Sequence, residues 1–146
     1  MNADSLSTLV GTWQLVSYEA RTPSGEIRYP LGRQVVAQLF YDARGNMSAH
    51  VMRVDRPTFA SDDSASGTDA EVRAAFEGHT SYFGTYTIDP SAGTVTHHVR
   101  GASYPNWTGH DQVRYYRFDG SHLVLSTPPI LFQGESLEYI LTWEQI

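Results

Sequence analysis

His97 and Arg114 are the residues of this 146-residue chain whose chemistry most asks for a setting. An imidazole takes or gives a proton near neutral pH, and a guanidinium holds a carboxylate, enolate or phenolate oxygen in a planar fork of donors. Both fall in short runs with the alternation of β-strands, in which every second side chain shares a face. His97 shares its face with Val95 and Val99, and Arg114 with Gln112, Tyr116 and Phe118. Facing side chains on paired strands lie within about 5 Å of each other, so pairing of these two runs brings His97 near Arg114. A third run puts Trp13, Leu15, Ser17 and Glu19 together. His97 with Glu19 or a tyrosine would then supply a general acid and base, and Arg114 a holder for an oxyanion or carboxylate.

The same alternation expects Leu39 and Tyr41, Met47, Ala49, Val51 and Arg53, and Tyr82, Gly84, Tyr86 and Ile88 on inner faces. Leu123 and Leu125, and Tyr139, Leu141 and Trp143, complete the set. From it Trp13, Ser17, Tyr41, Met47, Arg53, Tyr82, Tyr86, Gln112, Tyr116 and Tyr139 are expected to touch a ligand, with Trp107 added from a loop. A solid core would not hold so many polar groups, since each buried one needs a partner or costs about 1 to 3 kcal/mol. The competing assignment is structural: Glu19 and Arg114 form an ion pair, the tyrosine hydroxyls bond water, and His97 is a satisfied core residue.

Other chemistries find no residues. Adjacent His98 points to the face opposite His97, so the pair cannot chelate one ion from a regular strand, and no metal site is expected. The chain has no Cys, which removes disulfides and thiolate chemistry. No nucleophile elbow surrounds Ser17 or Ser126, and no phosphate-cradling or dinucleotide-binding glycine loop occurs.

Eight strands are needed to position these faces: Val10–Arg21, Gln34–Tyr41, Asn46–Val54, Thr80–Asp89, Thr94–Gly101, Asp111–Asp119, His122–Thr127 and Glu135–Gln145. Turn chemistry is written at Asp42 to Gly45, Asp89 to Gly93 and Asp119 to Ser121. Thr68 to Glu71 has the form of a capping box, and Val72, Ala75 and Phe76 follow at helical spacing before Gly78, so one short helix is expected over about Asp69–Glu77. It is expected to cover an opening, with Val72 and Phe76 turned toward the strands. The architecture these elements favour is all-β: an eight-stranded antiparallel up-and-down barrel of one domain over residues 1–146, closed by pairing of the first and last strands. Trp13 and Trp143 belong inside its closed end.

A net charge of -6 gives no basic footprint for nucleic acid or an anionic membrane. All positive side chains are Arg, a skew that fits base composition as well as function. The opening residues carry no basic leader or apolar stretch, and no run nears the ~20 apolar residues of a bilayer span. A soluble cytoplasmic protein, monomer or homodimer, is the expectation.

Six segments in order carry a family resemblance. They are Gly11 to Ser17, Tyr41 through Ala49, Tyr82 to Tyr86, Val95 to Val99, Tyr104 to Gly109 and Leu123 to Thr127. Together they resemble the bacterial and fungal lipocalin-like domain family over essentially the whole chain. The resemblance implies a calycin-type barrel with an internal pocket, and a link to secondary metabolism as in members that look like accessory proteins of such pathways. It leaves activity open, because a fold hosts many functions. Two expectations follow for a small hydrophobic or aromatic partner. One is a cofactor-independent acid/base isomerase, cyclase or dehydratase of an unsaturated or aromatic carbonyl compound, with His97, Glu19 and Arg114 catalytic. The other is a carrier that binds such a molecule unchanged. Haem bound through an inward histidine is a third, and needs an apolar slot beside His97.

Overall fold

The computed structural model describes residues 8–146. Ten strands run β1 (Gly11–Arg21), β2 (Ile27–Arg28), β3 (Val35–Tyr41), β4 (Asn46–Arg53), β5 (His79–Asp89), β6 (Thr94–Ala102), β7 (Asp111–Asp119), β8 (His122–Ser126), β9 (Ile130–Phe132) and β10 (Glu135–Gln145). Eight of them form an antiparallel ring in the order β1-β3-β4-β5-β6-β7-β8-β10, which pairing of β10 with β1 closes. The two short strands absent from the sequence reading, β2 and β9, add to the far ends of β1 and β10. Hairpin turns form where polar side chains can hold them. In the β3–β4 turn the Asp42 carboxylate accepts from the backbone N–H groups of Arg44 at 2.9 Å and Asn46 at 2.8 Å.

One end of the barrel is packed solid. Leu9, Trp13, Leu39, Tyr41, Met47, Tyr86, Ile88, Val95, Leu123 and Trp143 are all buried in one cluster. The Trp13 indole donates to the Leu9 carbonyl at 2.9 Å, which ties the segment before β1 into this end. Trp13 and Trp143 therefore occupy the closed end, as the pattern predicts. At roughly 1.5 to 3 kcal/mol per buried large side chain, this cluster is the main apolar source of stability. A second patch of buried residues, Ala20, Leu31 and Leu137, sits where β2 and β9 join the wall and lies outside the main cluster.

Strand β1 departs from simple alternation. Leu15 pairs with Trp143 and Ser17 with Thr142, so Val16 is an extra residue, a β-bulge. Beyond it the faces exchange: Tyr18 and Ala20 turn inward, while Ser17 and Glu19 turn out. The inward placement expected of Ser17 and Glu19 is thus corrected, because one inserted residue inverts everything after it. The bulge also bends β1 away from β3. The two pair only from Gly11 to Gln14, which leaves the wall open from Leu15 until β2 pairs with β1 at Ala20 and Arg21.

The helix, α1 (Asp69–Glu77), has the predicted bounds and a complete capping box between Thr68 and Glu71. It is not the expected cover. Val72 and Phe76 remain 51% and 48% exposed, and no residue of α1 is buried. Its attachments are to the loop before it, where the Arg56 guanidinium donates to the Ala75 carbonyl at 3.3 Å and the Glu71 carboxylate accepts from the Ala60 N–H at 2.8 Å. That loop supplies the polar anchor points, so the helix docks on it rather than on the barrel mouth.

Candidate functional site

His97 is 1% exposed at the centre of the barrel, on β6. Both ring nitrogens are engaged: Nε2 lies 2.6 Å from the Tyr41 hydroxyl and Nδ1 lies 2.8 Å from that of Tyr82. The three rings form a polar chain from β3 through β6 to β5. Burial pushes the imidazole well below its ordinary pKa, and the Arg114 charge lowers it further. Burial likewise drives both phenols up, against a smaller opposing pull from Arg114. At neutral pH the chain is therefore neutral imidazole between two un-ionised phenols.

Arg114 pairs with Val95 on β6, diagonal to His97, and is 9% exposed. It donates to the Val113 carbonyl at 3.0 Å and to the Gln112 side-chain carbonyl at 3.4 Å. Among the described residues it forms no ion pair with a carboxylate. Glu19, its expected partner, instead pairs with Arg21 on the outer surface at 3.2 Å.

Between the packed end and the patch of Ala20, Leu31 and Leu137, inward residues keep solvent contact. Leu15, Ala37, Tyr116 and Leu141 are only partly buried although each packs against the core. Tyr18 and Tyr139 stand beside each other with ring centroids 6.0 Å apart. Burial pushes the Tyr139 phenol up to about 12 and that of Tyr18 higher still. Over the unpaired stretch between β1 and β3 lies a surface depression of about 520 Å³, lined mostly by outward-facing Gln14, Val36, Gln38, His50 and Met52 together with inward-facing Leu15, Val35 and Ala37. Leu15 and Ala37 belong to the inner face, so this depression reaches into the wall.

The other expected site residues divide by place. Gln112 and Tyr116 flank Arg114, and Trp107 caps the polar chain edge-on against Tyr82 with centroids 5.5 Å apart. Trp13, Met47 and Tyr86 lie in the packed end, where the Tyr86 hydroxyl donates to the Asp42 carbonyl at 2.7 Å. Arg53 stands at the rim, tied to Asp55 by two bonds at 2.8 and 3.1 Å. One parity carried through the whole of β1 leaves Tyr18 off the inner face, where the structure puts it. Its signal was the pair Tyr18 and Ala20 against Ser17 and Glu19, where the more apolar set changes parity.

A closed antiparallel barrel with a polar centre and one open flank defines the class. The chain belongs to the lipocalin-like domain family, whose model matches residues 10–146. Among solved structures it is similar to a lipocalin-like protein from Bacteroides uniformis, at 15% identity over 95% of this chain and 99% of that one, with a TM-score of 0.48. None of the curated proteins matches it. Among the described residues no helix is long and apolar enough to cross a membrane, and no three His, Cys, Asp or Glu side chains converge as a metal site would need.

Proposed function

We propose that this protein binds a small, mostly apolar, unsaturated or aromatic molecule in the barrel beyond its packed end, and holds it without chemical change. The observation that carries this is the partial exposure of Leu15, Ala37, Tyr116 and Leu141, side chains that face inward yet are not covered by the protein. The unpaired stretch between β1 and β3 leaves Leu15, Val35 and Ala37 reachable from a depression on the outer wall, which gives such a molecule a way in.

Acid/base turnover finds less support. Glu19 faces outward, and each His97 nitrogen is already held by a tyrosine, so the imidazole has no free lone pair to offer a substrate. Haem ligation meets the same obstacle, since it needs an unoccupied imidazole nitrogen.

Calorimetric titration with 2-naphthalenemethanol as the probe tests the reading. Wild-type protein should bind it, and Ala37→Trp or Val35→Trp, which fill the opening, should weaken binding at least about tenfold at unchanged melting temperature, a loss of about 1.4 kcal/mol. Absence of binding to the wild type, or equal binding by both filled variants, would refute it.

A further inference from the structure

We propose that the occupant is an organic anion, an aromatic or unsaturated carboxylate or phenolate, whose charged oxygen sits against Arg114 while its body lies along Leu15, Ala37, Tyr116 and Leu141. This rests on the barrel-binding reading above.

The argument is a count of donors and acceptors. Inward positions on the eight wall strands include no Asp or Glu. Arg114 carries five N–H donors and no acceptor, and the groups it reaches inside the protein are neutral oxygens: the Val113 and Gln112 carbonyls and the Tyr82 hydroxyl. A guanidinium this buried is costly without a counter-charge, and none of the described carboxylates supplies one.

The tyrosine–histidine chain adds to the surplus. Two hydroxyls and one neutral imidazole hold three protons, but the chain has only two hydrogen bonds in which to place them. If Tyr82 donates to Nδ1, then Nε2 carries the ring proton and donates to Tyr41, whose own proton is left over. In the other tautomer the proton left over is that of Tyr82. Either way one hydroxyl donor at the barrel centre has no partner within the chain, and Arg114 cannot accept it.

Unspent donors around one fixed positive charge select for negative oxygen, and the apolar flank selects for a carbon skeleton behind it. A free inorganic anion would satisfy only the first requirement. The unpaired hydroxyl further favours an acceptor such as carboxylate or phenolate over an alcohol, which would bring yet another proton.

Titration of 2-naphthoate, 2-naphthalenemethanol and acetate at pH 8 in low salt separates the possibilities. Wild-type protein should bind naphthoate about 10-fold to 100-fold more tightly than the alcohol, and acetate far more weakly than naphthoate. Arg114→Met should abolish the preference for the acid while still binding the alcohol, which shows that the variant is folded. Arg114→Lys should restore part of the preference. Equal affinity of wild type for acid and alcohol, both blocked by Ala37→Trp, would overturn the anion proposal and leave barrel binding standing. Naphthoate binding unchanged in Arg114→Met would overturn it too, and failure of both naphthalene probes to bind would overturn both readings.

Discussion

At the scale of single residues, His97 turns the interior into a pH-sensitive part of the fold. Its imidazole is held neutral in the native state by burial first and by the Arg114 charge second, with adjacent His98 adding a smaller push. The unfolded chain, with an ordinary histidine, binds a proton below about pH 6.5. A folded-state pKa below the unfolded one means the unfolded state binds more protons in that window. Stability is thus full above about pH 6.5 and falls as the pH drops, by up to about 1.4 kcal/mol per unit. Half-exposed His79, lowered mainly by burial, adds a smaller effect of the same sign. Urea denaturation from pH 7.5 to 5.0 should therefore give a steeper loss of midpoint for wild type than for His97→Gln, which cannot titrate. Parallel curves would show that His97 carries no linkage. Alternation alone placed His97 inside, but not its partners: Tyr41 and Tyr82 lie 56 and 15 residues away in sequence, and nothing local encodes those contacts.

At the scale of elements, one residue decides what β1 contributes. Val16 is 48% exposed and could be replaced at little cost as a side chain, yet as a spacer it allows both Trp13 with Leu15 and Tyr18 with Ala20 to face inward. Deleting it would force one of those pairs into solvent or turn Ser17 and Glu19 inward in place of Tyr18 and Ala20. The expected cost is about 3 kcal/mol or more, against roughly 0.5 to 1 kcal/mol for Val16→Ala. Thermal melts of the two variants measure the contrast, and similar losses would mean the bulge is not what sets the faces. The bounds of the long strands and of α1 were readable because they rest on local rules, period-two alternation and a capping box. The bulge registers only as the change of apolar parity at Tyr18 and Ala20, because Leu15 and Val16 are both apolar and do not mark where it falls. Two-residue β2 and three-residue β9 are shorter than any periodicity can register. The position of α1 is not legible for a different reason: apolar residues at helical spacing do not say which surface they meet, and Phe59 and Arg56 in the preceding loop offer a nearer one than the barrel, with Phe59 against Gly67 and Val72 also close to that glycine.

At the scale of the whole molecule, the same bulge joins stability to access. A fully paired barrel has no edge, and its backbone donors are protected by neighbours on both sides. Here β1 leaves β3 after Gln14 and meets β2 only at Ala20 and Arg21, so amides of β1 from Ser17 to Glu19 and of β3 at Val35 to Ala37 that point into the gap have no strand opposite them. The packed end, built around Trp13, Leu39, Val95, Leu123 and Trp143, carries the long-range contacts that open only with global unfolding. Amide hydrogen exchange should accordingly divide the barrel along its length, with Leu39 and Val95 exchanging slowest and the gap-facing amides of β1 and β3 fastest. A bound molecule seated against Leu15 and Ala37 would cover that gap. At 100 times its dissociation constant, 2-naphthalenemethanol should stabilise the native state by about 2.7 kcal/mol and slow exchange first on the two sides of the opening. Protection that rises uniformly over the barrel, or only at the rim near α1, would place the entry elsewhere and detach the opening in the wall from ligand uptake.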